Sequence, residues 1–211
     1  MYKFAGKLSI KPLLICFMLS LAACTTLQPQ GQWQSNPTPL TAIKKPLVVV
    51  LVSDPVIRKK TEADWVLDLR GDGIQAAPGY AAIGALEEVS AEKLAALQQQ
   101  YQFDGLVLAS LMLDAEAAQE RHEAMAAHLQ YHKNLAFDVF MQRMEMVTIK
   151  VAVFDLNSSR LRWRALYQVP VKGGAIDWQQ VAKSANKAMT AAGLAPPQPK
   201  PDPKEEKASA P

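Results

Sequence analysis

Residues 47–52 read LVVVLV, an unbroken apolar run closed by Ser53, Asp54 and Pro55. A strand with one wet face alternates apolar and polar residues, so an unbroken run specifies a strand covered on both faces. The chain is therefore expected to build a sheet with packing layers on either side. A second such run, residues 106–113 (LVLASLML), is entered through the turn Asp104-Gly105. Between the two, residues 91–102 carry Leu94, Leu97 and Tyr101 on one helical stripe, with Ser90 placed as N-cap. Strand, helix, strand in that order predicts a right-handed βαβ crossover. Residues 56–89 are less legible: Trp65, Val66, Leu67 and Leu69 fit either a short strand or a helical turn before Arg70-Gly71-Asp72-Gly73. Residues 115–135, rich in Ala, Glu, Gln and Met with no interior Gly or Pro, read as helix.

The end of the chain has the clearest periodicities. Val147, Ile149, Val151 and Val153 alternate with Thr148, Lys150 and Ala152, and residues 155–159 (DLNSS) make a turn. Leu161, Trp163, Ala165 and Tyr167 then alternate with Arg160, Arg162 and Arg164. This predicts a β-hairpin with one core face and one polar face. Gly173-Gly174 breaks it before a final helix, with Asp177 as N-cap, Gln180 three residues on, and Ile176 placed to staple against Val181. Trp178, Val181, Ala182, Ala185, Met189 and Ala192 recur at helical spacing until Gly193 and Pro196. The predicted class is α/β (α+β): a single small mixed sheet with packed helices, and a C-terminal β-hairpin followed by a helix.

The N-terminus has another character. Lys3, Lys7 and Lys11 precede an apolar stretch of about 11 residues that closes on Leu21-Ala22-Ala23-Cys24. About 20 residues are needed to span a bilayer as a helix, so this is the layout of a secretory signal. The three lysines leave with residues 1–23, which brings 23 basic against 20 acidic residues to 20 against 20. The basic excess belongs to the signal, and nothing points to nucleic acid. Cys16 leaves as well, so Cys24 is the only thiol of the mature chain. Residues 24–46, rich in Gln, Pro, Thr and Ser, read as a tether with a random-coil reach of roughly 25 Å. Residues 196–211 (PPQPKPDPKEEKASAP) cannot build a core and read as a disordered tail. The domain is placed at residues 47–195, about 150 residues, enough for one hydrophobic core without disulfides.

Leu21-Ala22-Ala23-Cys24 resembles the lipobox of bacterial lipoproteins. The resemblance implies that Cys24 receives a diacylglyceryl thioether, becomes the new N-terminus and is N-acylated. Two or more acyl chains, at about 0.8 kcal/mol per buried methylene, give stable membrane attachment. Thr25 after the cysteine, in place of Asp, implies the outer membrane, with the domain facing the periplasm. The domain itself resembles a periplasmic α/β group: the lipoprotein activators of penicillin-binding proteins, the curli secretion lipoprotein, and the N-terminal domain of the Tol–Pal propeller protein, TolB. The likeness lies in Phe103-Asp104-Gly105 opening a buried strand and in the hairpin segment 153–163 (VFDLNSSRLRW), where Asp104, Asp155 and Trp163 fall on the matching positions. It covers about residues 47–171. The activators carry a long Pro-rich tether and the curli protein inserts amphipathic hairpins. Here the tether is short, and residues 114–136 are polar and helical in composition.

Candidate sites are few. Lys150, Arg160, Arg162 and Arg164 are expected to form a cationic stripe on the polar face of the hairpin, a surface for phosphate, acidic glycan or an acidic protein strip. His128 and His132 stand at i and i+4, a spacing that can hold a divalent metal, but no third ligand or His-Glu-x-x-His pattern accompanies them. They read as surface histidines, and no metal or other cofactor is expected. Gly71-Asp72-Gly73 matches a loosened dinucleotide pattern, but Pro78-Gly79 denies it the helix that a pyrophosphate needs. Asp138, Glu145 and Asp155 have nothing to fix a working separation, and no nucleophile–base pair is present. The expectation is a non-catalytic accessory lipoprotein of cell-envelope assembly, held to the membrane through Cys24 and binding an envelope protein. The alternative is a periplasmic lipoprotein that binds a metal or small molecule.

Overall fold

The computed structural model describes residues 27–35, 41–112, 125 and 145–195, the Glu87 side chain excepted. The signal segment, Cys24, the 196–211 tail, His122, His128, His132 and all but Met125 of the expected 115–135 helix lie outside the described residues.

In chain order the elements are β1 (Gly31–Gln34), β2 (Pro46–Leu51), α1 (Pro55–Gly71), β3 (Ala77–Pro78), α2 (Gly79–Ala82) and a 3-10 turn (Leu86–Glu88). There follow α3 (Ala91–Tyr101), β4 (Gly105–Met112), β5 (Met146–Asp155), β6 (Arg160–Lys172), β7 (Ala175–Ile176) and α4 (Trp178–Ala191). One mixed sheet runs β1-β6-β5-β4-β2-β3, with β7 paired to β6. β2 is parallel to both β3 and β4, while the β4–β5, β5–β6, β1–β6 and β6–β7 pairs are antiparallel. The class expected from the sequence is the class observed.

The unbroken apolar runs behave as their composition requires. Val48 and Val50 of β2, with Val52 just beyond it, enter one core with Trp65 of α1 and Val181 of α4. Leu47, Val49 and Leu51 enter the opposite core with Leu94 and Leu97 of α3. Alternate residues of β4 divide in the same way. Each such side chain, fully removed from water, contributes roughly 1.5–3 kcal/mol, so the double coverage of β2 and β4 makes them the energetic centre of the fold.

The helix ends follow the local chemistry. Ser90 Oγ accepts Lys93 N at 3.2 Å, and Asp177 Oδ1 accepts Gln180 N at 2.9 Å. Gly193, at φ +79°, lets α4 close by placing Leu194 N on Met189 O at 2.9 Å. Tyr101, expected on the apolar stripe of α3, is exposed instead.

Three features differ from the sequence reading. The first is α1, a helix of 17 residues where the pattern was ambiguous. Asp54 caps it by accepting Val56 N and Ile57 N at 2.8 and 3.1 Å, with Pro55 in the first turn. Its buried positions, Arg58, Thr61, Glu62, Trp65, Val66 and Leu69, have helical spacing, but the first three are polar, so no apolar stripe announces them.

Secondly, Gly31–Gln34, inside the stretch read as tether, form an edge strand. Gly31 stands opposite Leu166 and Gln34 opposite Trp163. The free edge of β6 recruits this short polar segment through backbone hydrogen bonds.

Thirdly, β5 is covered on both faces rather than one, while β6 keeps the expected alternation. Lys150, Ala152 and Phe154, read as outward-facing or unassigned, are buried. A register shift between Val153 and Phe154 places Leu161 opposite Phe154. Leu161 thereby joins the α3-side core, while Trp163, two residues on, stays in the other.

Candidate functional site

The directions of the strands give the sheet two distinct ends. At one lie the C-terminal ends of β2, β4 and β6 and the starts of β1 and β5. At the other lie the start of β4 and the β5–β6 turn.

The β5–β6 end is built on two aspartates. Asp104 Oδ2 and Oδ1 accept Lys44 N and Lys45 N at 2.7 and 2.9 Å, and its carbonyl accepts Leu156 N at 3.3 Å. It thus ties the approach to β2, the entry of β4 and the hairpin turn into one knot. Asp155 Oδ1 accepts Asn157 N and Ser158 N at 2.8 and 2.9 Å, folding the turn onto its own side chain. The other Asp155 oxygen accepts Arg162 Nη1 at 3.3 Å. Arg162 Nη2 also reaches Thr41 O at 3.5 Å, and Gln98 Nε2 donates to Asn157 Oδ1 at 2.9 Å. Asp104 and Asp155 therefore have architectural roles, and Trp163 is a core residue, 1% exposed.

The four cations expected to share a stripe are separated. Lys150 is 1% exposed, opposite Ser110 on one side and Leu166 on the other. The reason is that β5 is covered on both faces, so alternation there does not distinguish core from solvent. Arg164, half-buried, stands opposite Ala152 on the same sheet face as Lys150. Arg162 is the extra residue at the register shift and turns to Asp155 instead. Arg160 is exposed at the start of β6, opposite Asp155. Of the four, Arg160 and Arg162 come together at the turn, while Lys150 and Arg164 lie farther along the sheet. No group of three or more His, Cys, Asp or Glu able to hold a metal occurs among the described residues, and Cys24, His128 and His132 lie outside them.

At the opposite end is a cleft of about 560 Å³ that sequence reasoning missed. Val52, Leu111, Trp65 and Trp178 line it with apolar surface, and the two N-cap residues, Asp54 and Asp177, line it as well. Ile57 also lines it, while Trp65 Nε1 donates to Asn186 Oδ1 of α4 at 2.7 Å, joining the two helices beneath. The cleft combines segments about 120 residues apart in the chain, Asp54 and Asp177 among them. Its only local signals were the two capping residues and Gly173-Gly174, at φ +61° and +79°.

A third polar cluster is internal. Glu62, 0% exposed, accepts Arg58 Nε at 2.9 Å, Val50 N at 3.0 Å and Tyr80 N at 2.5 Å. Arg58 Nη1 donates to Gly84 O at 2.9 Å. β3 pairs only with Leu47 and Val48, so beyond that point the β2 edge lacks a strand partner, and the Glu62 carboxylate takes its place at Val50. Burial pushes the Glu62 carboxyl up, against the opposing pull of Arg58 and of the two amide donors. The perturbation has a packing cause, and the group does not line the cleft.

The sequence matches no protein-family model and no curated protein. Among solved structures, the chain is similar to a PelC variant dodecamer from Paraburkholderia phytofirmans, with 11% identity, 78% of this chain and 97% of that chain covered, and a TM-score of 0.42. It is similar to TolB from Acinetobacter baumannii, with 13% identity, 76% and 31% covered, and a TM-score of 0.36. It is also similar to lipoprotein GNA1162 from Neisseria meningitidis, with 12% identity, 72% and 99% covered, and a TM-score of 0.36.

Proposed function

We propose that this chain is an outer-membrane lipoprotein whose α/β domain faces the periplasm and binds a protein of an envelope assembly without catalysing a reaction. Cell-wall synthesis, secretion and appendage assembly are the settings it suits. The observation that carries the reading is Leu21-Ala22-Ala23-Cys24 behind a cationic, short apolar segment. In support, no helix among the described residues is long and apolar enough to cross a membrane. Acyl chains on Cys24 then confine the domain to a thin layer and raise its effective concentration near partners there.

The partner-facing element is the β5–β6 turn. Arg160 is exposed there, and Asp155 holds Arg162 and the turn backbone in one conformation. A guanidinium presented on a pre-organised turn suits a carboxylate or phosphate on the partner.

Two measurements test this. Cys24→Ser should move the protein from the membrane fraction to the soluble periplasmic fraction; continued sedimentation with envelopes defeats the anchoring. A photo-crosslinking residue at position 160 in intact cells should trap one discrete envelope protein. A smear across abundant neighbours defeats the partner role.

A further inference from the structure

Leu27, the first of the described residues, packs its side chain against the core shared by α1 and α4. Gln30 N then donates to Leu166 O at 2.8 Å, starting the β1–β6 ladder. Cys24 precedes Leu27 by three residues, and a fully extended chain covers at most about 3.3–3.6 Å per residue. The cysteine thus lies within roughly 10 Å of the folded body. The headgroup layer of one leaflet is itself about 5–8 Å deep, being half the difference between a bilayer with and without it. A strap that short barely clears the headgroups, so the domain meets the membrane surface rather than swinging on a tether.

Strand direction decides which end meets it. β1 runs antiparallel to β6 and begins at the sheet end where β6 finishes. Met146, opposite Pro170, is at that end, as is Val171, whose N–H donates to Glu145 O at 2.9 Å. So is the start of α1, which follows the C-terminal end of β2 after residues 52–54. Five large apolar side chains are exposed among the described residues, and three of them are at this end: Val56 (74%), Ile57 (42%) and Met146 (48%). The other two, Leu67 and Tyr101, are elsewhere. Leu67 is about 17 Å farther along α1 at 1.5 Å per residue, and Tyr101 is beside Lys45, whose Nζ donates to its carbonyl at 2.6 Å at the opposite end of β2.

We infer that the end bearing Val56, Ile57 and Met146 docks onto the phospholipid surface into which the acyl chains of Cys24 insert. The inference depends on the acylation proposed above, and adds an orientation to it. It commits these residues to the interfacial region, and directs the Asp155–Arg160 turn away from the membrane.

The experiment uses the full-length protein purified from membranes and reconstituted in vesicles of phosphatidylethanolamine and phosphatidylglycerol. Single cysteines replace Val56, Met146, Leu67 or Tyr101, all surface positions, and carry an environment-sensitive fluorophore. Nitroxide-labelled phospholipids supply the quencher. Quenching several-fold stronger at 56 and 146 than at 67 and 101 is the expected result. If the protein floats with the vesicles but quenching is equal at all four positions, the docking is overturned while acylation stands. A fluorophore shielded at 56 and 146 without lipid quenching also overturns it, and assigns the surface to a second copy or to another protein. Failure to float removes the acylation and the docking with it.

Discussion

The Glu62 carboxylate accepts Arg58 Nε at 2.9 Å from one turn away on α1, with the two side chains 0% and 5% exposed. The pair sits between the helix and an edge of β2 that has no strand beside it. Removing one member strands the other's charge in the interior, which costs about 3–5 kcal/mol. Glu62→Ala should therefore lower stability by that amount in urea unfolding. Arg58→Met combined with Glu62→Leu should restore only part of it, because Val50 N and Tyr80 N still lack their acceptor. Loss below about 1 kcal/mol for Glu62→Ala would show the pair to be dispensable.

The same carboxyl predicts a pH dependence. Burial raises it above its ordinary value of 4.5, so the folded state takes up this proton at higher pH than the unfolded state does. Its contribution to stability is fully present below 4.5 and is lost as pH rises through the raised value. Glu62→Gln should lack that component, so the difference in urea midpoint between wild type and variant should change between pH 4.5 and the raised value. A constant difference would falsify the assignment.

Tyr167 carries its hydroxyl into the core with no partner among the described residues, and burial raises its pKa. An unpaired buried hydroxyl is a standing cost, so Tyr167→Phe should be neutral or stabilising by about 1 kcal/mol. A melting temperature several degrees lower in the variant would mean that the hydroxyl is satisfied.

Gly79 opens α2 against the back of β2. A Cβ built there falls 2.7 Å from Val49 Cγ2 and 2.9 Å from Val48 O, the second being rigid backbone. Gly79→Ala should destabilise by roughly 1–3 kcal/mol through overpacking. Gly71→Ala, with nothing within 4 Å of the added carbon, is the control and should change stability little. Equal effects of the two substitutions would remove the close approach as the cause.

Arg162 and Asp155 make the last test. The pair is partly exposed, at 19% and 23%, and 3.3 Å apart, so its direct worth is below about 1 kcal/mol. Arg162→Ala should leave urea stability nearly unchanged, whereas Asp155→Ala should cost more, because Asn157 N and Ser158 N lose their acceptor as well. The reverse order would mean that the ion pair, not the turn, carries the stability.

Much of the architecture was legible because its cause is local. β2 and β4 announce themselves by unbroken apolar runs, β5 and β6 by alternation, and α3 and α4 by the caps Ser90 and Asp177. The site was far less legible. Neither the cleft between α1 and α4 nor the separation of the four cations follows from spacing. The first needs residues about 120 positions apart, and the second turns on one register shift between Val153 and Phe154.

The sequence by itself determined that this chain has a doubly covered sheet with a terminal hairpin and helix, since an unbroken apolar strand needs cover on both faces and an alternating one on at least one. Tertiary structure alone decided the rest. It buried Arg58, Glu62 and Lys150, drew Gly31–Gln34 into the sheet, and set the exposed Val56 and Met146 at one end. The physical reason is that a polar group is buried, or a short polar segment ordered, when hydrogen-bonding partners from distant parts of the chain satisfy it. Hydrophobic periodicity records only the faces that oil would have chosen.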